Sequence, residues 1–119
     1  MEVSISEEGN HSIISLSGDL DASSSISLDN AFTSVLSSQR SVIFVDCTKL
    51  DYISSPGIGV FISRLGDCER QGIRLGLFGV SDKILKVFKI LGLDQLIIIG
   101  KTKQEAELNI NATQPSDRV

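Results

Sequence analysis

The chain predicts an α/β fold: one domain on a mixed, mostly parallel sheet, with helices packed against it. Three observations carry this. An almost unbroken apolar run, Val42 to Val45, reads as a buried strand. On both sides of it, apolar residues recur at helical spacing. Near the start, two alternating apolar segments flank a turn, the pattern of a hairpin. The resulting order is ββαβαβαβα. After the hairpin, strands and helices alternate, so right-handed crossovers and parallel strands are expected.

Each element has its own signal. Val3 and Ile5 alternate with polar residues, as do Ile14 and Leu16, and a turn falls near Gly9-Asn10. Gly18-Asp19-Leu20-Asp21 reads as a break. Ser23, Ser24 and Ser25 offer caps for a first helix, whose face is Leu28, Ala31, Phe32 and Val35. The strand at Val42–Val45 follows. A second helix carries Ile58, Phe61, Ile62 and Leu65 on its face and runs to about Arg70, where Gly72 stops it. Ile73, Leu75 and Leu77 alternate as the next strand. Ser81 caps a third helix with Ile84, Val87, Phe88 and Leu91 inward, and Gly92 and Leu93 occupy its C′ and C″ positions. Leu96 to Ile99 is a short apolar strand. Thr102 opens a last helix with Ala106 and Leu108 inward. The domain is expected to span residues 1–110, with 111–119 a loose polar tail containing Pro115.

Composition narrows the function. At 119 residues the chain makes one domain. A net charge of −4 without a Lys/Arg cluster argues against direct nucleic-acid binding. No apolar run approaches the ~20 residues of a membrane span, and Glu2, Glu7 and Glu8 interrupt any signal peptide. Cys47 and Cys68 lie on core positions without C-x-x-C spacing. They read as reduced residues of a cytoplasmic protein.

Little catalytic chemistry is on offer. His11 is the only histidine and sits by the hairpin turn; the segment around Ser55 is not G-x-S-x-G. One histidine and two scattered cysteines do not make a zinc site. Gly57-Ile58-Gly59 lacks the third glycine of a dinucleotide fingerprint, and no Walker lysine is present. The chain reads as a non-enzyme with no metal and no cofactor. Asp19 with Asp21, and Asp46 with Asp51, are pairs that can hold a cation or share a proton, but paired carboxylates are more often loop caps and solvated charges, the reading favoured here.

The informative run is Tyr52-Ile53-Ser54-Ser55-Pro56-Gly57-Ile58-Gly59-Val60, a strand end passing into a helix. Ser55 reads as the N-cap and Pro56 as the first helical residue. Gly57 and Gly59 leave the backbone bare beside the hydroxyl, and a phosphate there would sit on helix N–H groups. The run by itself fits either a plain cap or an exposed contact point.

Together with the element order and the Gly18-Asp19-Leu20-Asp21 segment, this run resembles the STAS domain, and more narrowly the bacterial anti-sigma factor antagonists. The Gly92-Leu93 helix stop is similar too. The resemblance covers roughly residues 3 to 110. It implies a non-enzymatic module that binds an anti-sigma factor, itself a serine kinase, and so frees a sigma factor. Phosphorylation of one serine switches it off, and a phosphatase reverses this. Aligned on the glycines, that serine is Ser55, with Ser54 the alternative acceptor. The implied partner surface comprises Asp19, Asp21, Ser23, Ser24, Ile53, Ser54, Ser55, Gly57, Ile58, Gly59 and Val60. Ser54 stands where the family's motif has aspartate, and Pro56 follows the acceptor. The alternative is a STAS subunit of another assembly, such as a sensory complex or a lipid-transporter accessory. Oligomeric state is left open.

Overall fold

In the computed structural model, which describes residues 1–112, the chain opens with β1 (Glu2–Glu8) antiparallel to β2 (His11–Leu20) around the Gly9-Asn10 turn. Then follow α1 (Ser24–Ser37), β3 (Val42–Ile53), α2 (Ser55–Gln71), β4 (Arg74–Phe78), α3 (Asp82–Ile90), a single 3-10 turn (Leu93–Gln95), β5 (Ile98–Gly100) and α4 (Lys103–Ala112). The sheet order is β1-β2-β3-β4-β5, and every pair from β2 onward is parallel. The expected element order and mixed, mostly parallel sheet are both present.

Sequential parallel strands joined by same-handed crossovers put their helices on one face. There, Ile14, Leu16, Leu20, Ile43, Val45, Leu75 and Leu77 of the sheet share one core with residues of α1, α2 and α3. Three buried rings link those helices: Phe32 meets Phe61 edge-on at 6.1 Å, and Phe61 meets Phe88 at 6.0 Å. On the opposite face α4 lays Ala106 and Ile110 over Ile13, Val42, Phe44 and Phe78.

Several local expectations need correction. β3 does not stop at Val45 but runs to Ile53, because β2 continues beside it: Ser17, Gly18, Asp19 and Leu20 pair with Lys49, Leu50, Tyr52 and Ile53. The polar residues of that stretch hide it from an apolar-run search. Gly18-Asp19-Leu20 is therefore strand rather than break. The irregularity is real, however: Gly18 has φ +104°, and the register shifts between Gly18 and Asp19.

Ile62 is exposed; one residue past Phe61 it is turned about 100° from the core. The stripe of α2 is instead Gly57, Phe61, Leu65 and Cys68, with Ile58 and Val60 packed on its flanks. Leu91 caps α3 and faces solvent. Leu108 is also exposed, since α4 buries Ala106 and Ile110 four residues apart. The last strand begins at Ile98, with Leu96 exposed before it. Helix α4 takes in Asn111 and Ala112, and the rest of the expected tail lies outside the described residues.

Candidate functional site

Leu20 ends β2 opposite Ile53, which ends β3, and the two chains leave the sheet together. The Ser54 amide donates to the Leu20 carbonyl at 2.8 Å. This tie sets the loop after Leu20 beside the start of α2.

The N-cap of α2 is Ser54, not Ser55. Ser54 has extended backbone (φ −90°, ψ 168°), and its hydroxyl accepts the Gly57 N–H at 3.3 Å. Its carbonyl accepts the Ile58 N–H at 3.0 Å. Ser55 is the first helical residue and Pro56 the second. Sequence reasoning chose Ser55 because proline favours the first helical position; proline tolerates the second as well, where no intrahelical N–H partner exists either. The consequence is a division of labour. The Ser54 hydroxyl is half-buried and committed to the cap, whereas the Ser55 hydroxyl is exposed and unbonded among the described residues.

The helix start also offers an anion less than the sequence suggested. Pro56 has no N–H, and the Gly57 N–H is held by Ser54. The Ser55 amide is left, with the helix dipole behind it and no acidic side chain in the first turn.

The two glycines differ. A Cβ on Gly57 would lie 2.8 Å from Cγ and Cδ2 of Leu20 and 3.2 Å from Ile53 Cγ1. Gly57 is thus what lets α2 close on the strand ends. A Cβ on Gly59 would meet nothing within 4 Å. Gly59 is bare and exposed for no internal packing reason.

The facing loop is rigidly bonded. The Asp21 carboxylate accepts from the Ser24 amide at 2.9 Å, the Ser24 hydroxyl at 2.9 Å and the Ser23 hydroxyl at 3.0 Å. The Asp21 amide in turn donates to Ser24 Oγ at 2.8 Å. These bonds, above all those from Ser24, hold the Asp21 pKa down at about 2. Asp21 rather than a serine hydroxyl organises the start of α1; Ser23 has the cap position but its hydroxyl accepts no amide. Behind the loop, Arg64 of α2 clamps α1. Its Nε donates to Asp29 Oδ1 at 2.8 Å and its Nη2 to Thr33 Oγ1 at 2.6 Å.

Of the expected partner surface, Asp19, Asp21, Ser23, Ser55 and Gly59 are exposed, and Ser24, Ser54, Ile58 and Val60 are half-buried. Ile53 and Gly57 are buried, so they shape the surface from beneath rather than forming it. Two exposed large side chains adjoin these residues in sequence and were not among those expected: Ile26, on the first turn of α1, and Tyr52, before Ile53. Ile26 falls off the Leu28-Ala31-Phe32-Val35 stripe, which was the available signal.

His11 opens β2, at the strand end opposite Ser55. Its ring packs edge-on against Phe44, and Nδ1 lies 4.0 Å from Glu107. Cys47 and Cys68 are both buried free thiols. Burial pushes the Cys47 thiol well up and Cys68 to about 11. Among the described residues, no group of His, Cys, Asp and Glu could hold a metal ion, and no helix is long and apolar enough to cross a membrane.

Comparison with known proteins identifies a family. The family model for the STAS domain matches residues 2–106. The anti-sigma-B factor antagonist of Listeria monocytogenes is 31% identical over 101 residues, covering 85% of this chain and 87% of that protein. In fold, the chain is similar to an anti-sigma factor antagonist from Mycobacterium paratuberculosis, with TM-score 0.83, 15% identity and coverage of 92% and 93%. It is also similar to the Bacillus cell fate determinant SpoIIAA in its phosphorylated form, with TM-score 0.71, 21% identity and coverage of 92% and 99%. The chain therefore belongs to the STAS domain family, among the anti-sigma factor antagonists.

Proposed function

We propose that this protein binds an anti-sigma factor through the Asp19–Ser24 loop and the first turns of α2, and thereby releases a sigma factor. The anti-sigma factor is also a serine kinase, which phosphorylates Ser55 and ends the association; a phosphatase restores it. The protein acts in the cytoplasm as a binding module and not as an enzyme. The observation that carries the reading is the separation of the two serines: Ser54 is held in the cap, and Ser55 presents a free, exposed hydroxyl beside a bare Gly59.

The physics of the switch follows from that geometry. A phosphate on Ser55 adds about −1.5 to −2 charge and a bulky tetrahedron. The helix dipole favours it, so the domain stays folded. With few free amides to take it up, the charge stays directed at solvent or at a partner. A partner closing over it must desolvate it without compensation.

The test is to incubate the protein with its cognate kinase and ATP, map the modified residue by mass spectrometry, and titrate both forms against the purified anti-sigma factor. Phosphate on Ser55 and loss of binding are expected. Phosphate on Ser54 alone, or none while a control substrate is labelled, overturns the acceptor assignment. Binding that ignores the modification points to a STAS subunit of another assembly.

A further inference from the structure

We infer that the outer face of α3 is a second docking surface, one that takes an acidic amphipathic helix of a protein partner. It uses neither the Ser55 hydroxyl nor the Asp19–Ser24 loop, so it stands apart from the switch. Helix α3 turns Ile84 and Phe88 into the core. Lys83, Lys86 and Lys89 are left exposed on the outside. None of these ammonium groups has an ion-pair or hydrogen-bond partner among the described residues. Four cations elsewhere are paired, Arg40 with Glu7, Arg64 with Asp29, Arg70 with Asp67 and Lys103 with Glu8, while Lys49 and Lys101 stand singly among the described residues. In a chain of net charge −4, α3 sets three lysines against one aspartate.

Apolar surface accompanies this charge. Ile90 is 78% exposed and stands one helical turn after Lys86. Leu91, at 52%, and Leu96, at 50%, follow it. One exposed isoleucine is commonplace. Ile90 and Leu91, two large exposed aliphatic residues at the end of a helix whose lysines lack ion-pair partners among the described residues, make a surface with two complementary demands. A partner needs an apolar stripe for Ile90 and its neighbours, and carboxylates flanking that stripe for the lysines. An amphipathic acidic helix meets both. The lysine stems add apolar contact while their ends reach the flanks. An anionic membrane answers the charge less well: three lysines fall below the roughly four to eight that mark lipid-binding clusters, and the rest of the chain is acidic.

The test is a titration of the isotope-labelled full chain, followed by NMR. The probe is a synthetic amphipathic helix with glutamates flanking a leucine stripe; in parallel, phosphatidylglycerol vesicles are added. Amide shifts confined to residues 82–96 are expected, and a matched peptide with lysines for glutamates should not bind. The double substitution K86E/K89E should weaken the acidic peptide about tenfold, with added salt acting in the same direction. Ile90→Ser leaves the charges in place and should also weaken binding, with thermal melting unchanged. No binding, shifts centred elsewhere, or equal affinity in both variants overturns the inference. Binding to vesicles but not to peptide, lost in the same variants, replaces the protein partner with a membrane surface.

Discussion

Exchanging the roles of Ser54 and Ser55 is the sharpest test of the site. Ser54→Ala removes the hydroxyl that accepts the Gly57 amide at 3.3 Å. Losing a serine cap costs about 0.5–2 kcal/mol, and a bond of this length belongs near the middle, at about 1 kcal/mol. For a chain of this size that is a fall of roughly 3–5 °C in Tm. Ser55→Ala removes an exposed hydroxyl that has no partner among the described residues, so its stability should stay within about 0.5 kcal/mol of wild type. Ser55→Glu places a carboxylate in a first turn that has none, which helps by about 0.3–1 kcal/mol. In binding, the order inverts. Ser55→Glu should lose about 3 kcal/mol of affinity for the anti-sigma factor, more than a hundredfold, because an unpaired charge is carried into the contact. Ser55→Ala should bind about as well as wild type. Thermal melting beside calorimetric titration reads both quantities. If Ser55→Ala melts low while Ser54→Ala does not, the cap assignment is wrong. If wild type, Ser55→Ala and Ser55→Glu bind equally, Ser55 is no switch.

The two glycines should part company in the same way. Gly57→Ala forces a methyl against Leu20 and should destabilise by about 1–3 kcal/mol, whereas Gly59→Ala enters open space and should stabilise by roughly 0.5–1 kcal/mol in denaturant melts. If Gly59 lies in the partner contact, Gly59→Arg should still fold while losing the anti-sigma factor; normal binding would remove it from the surface. Asp21 has a folded-state pKa of about 2, below its ordinary 3.8. Its contribution is complete above about pH 4 and disappears as pH falls through 2, so Asp21→Asn should flatten the acid limb of stability in that window. Cys47 and Cys68 should resist thiol reagents until the protein is unfolded, since both are buried with raised pKa values. Rapid labelling of the native chain would contradict their placement.

Much of the fold was readable in local pattern. The Leu28-Ala31-Phe32-Val35 stripe, the Val42–Val45 run and the Ser81 cap each depend on residues close in sequence, and each stands as expected. The errors share one cause. Ile62, Leu91 and Leu108 continue an apolar spacing but leave the buried arc, whose width depends on what lies opposite. Tyr52 and its neighbours form strand only because β2 is there to bond them. The site followed the same division. The serine pair, the proline and the glycines nominated a candidate, and the family resemblance pointed to Ser55.

What the order of residues decided alone was the alternation of elements and the place of the strand-to-helix turn. Those depend on apolar period and capping chemistry, both of them local. Tertiary structure decided which serine caps and which is free, because the Leu20 carbonyl holds the Ser54 amide and so sets where α2 begins. It also decided that Gly57 is required and Gly59 is not, since only the first lies against Leu20. Finally, it left the lysines of α3 without ion-pair partners among the described residues. A hydrogen bond or a steric contact between residues over thirty positions apart belongs to the packing of β2 against β3 and α2, and no local pattern contains it.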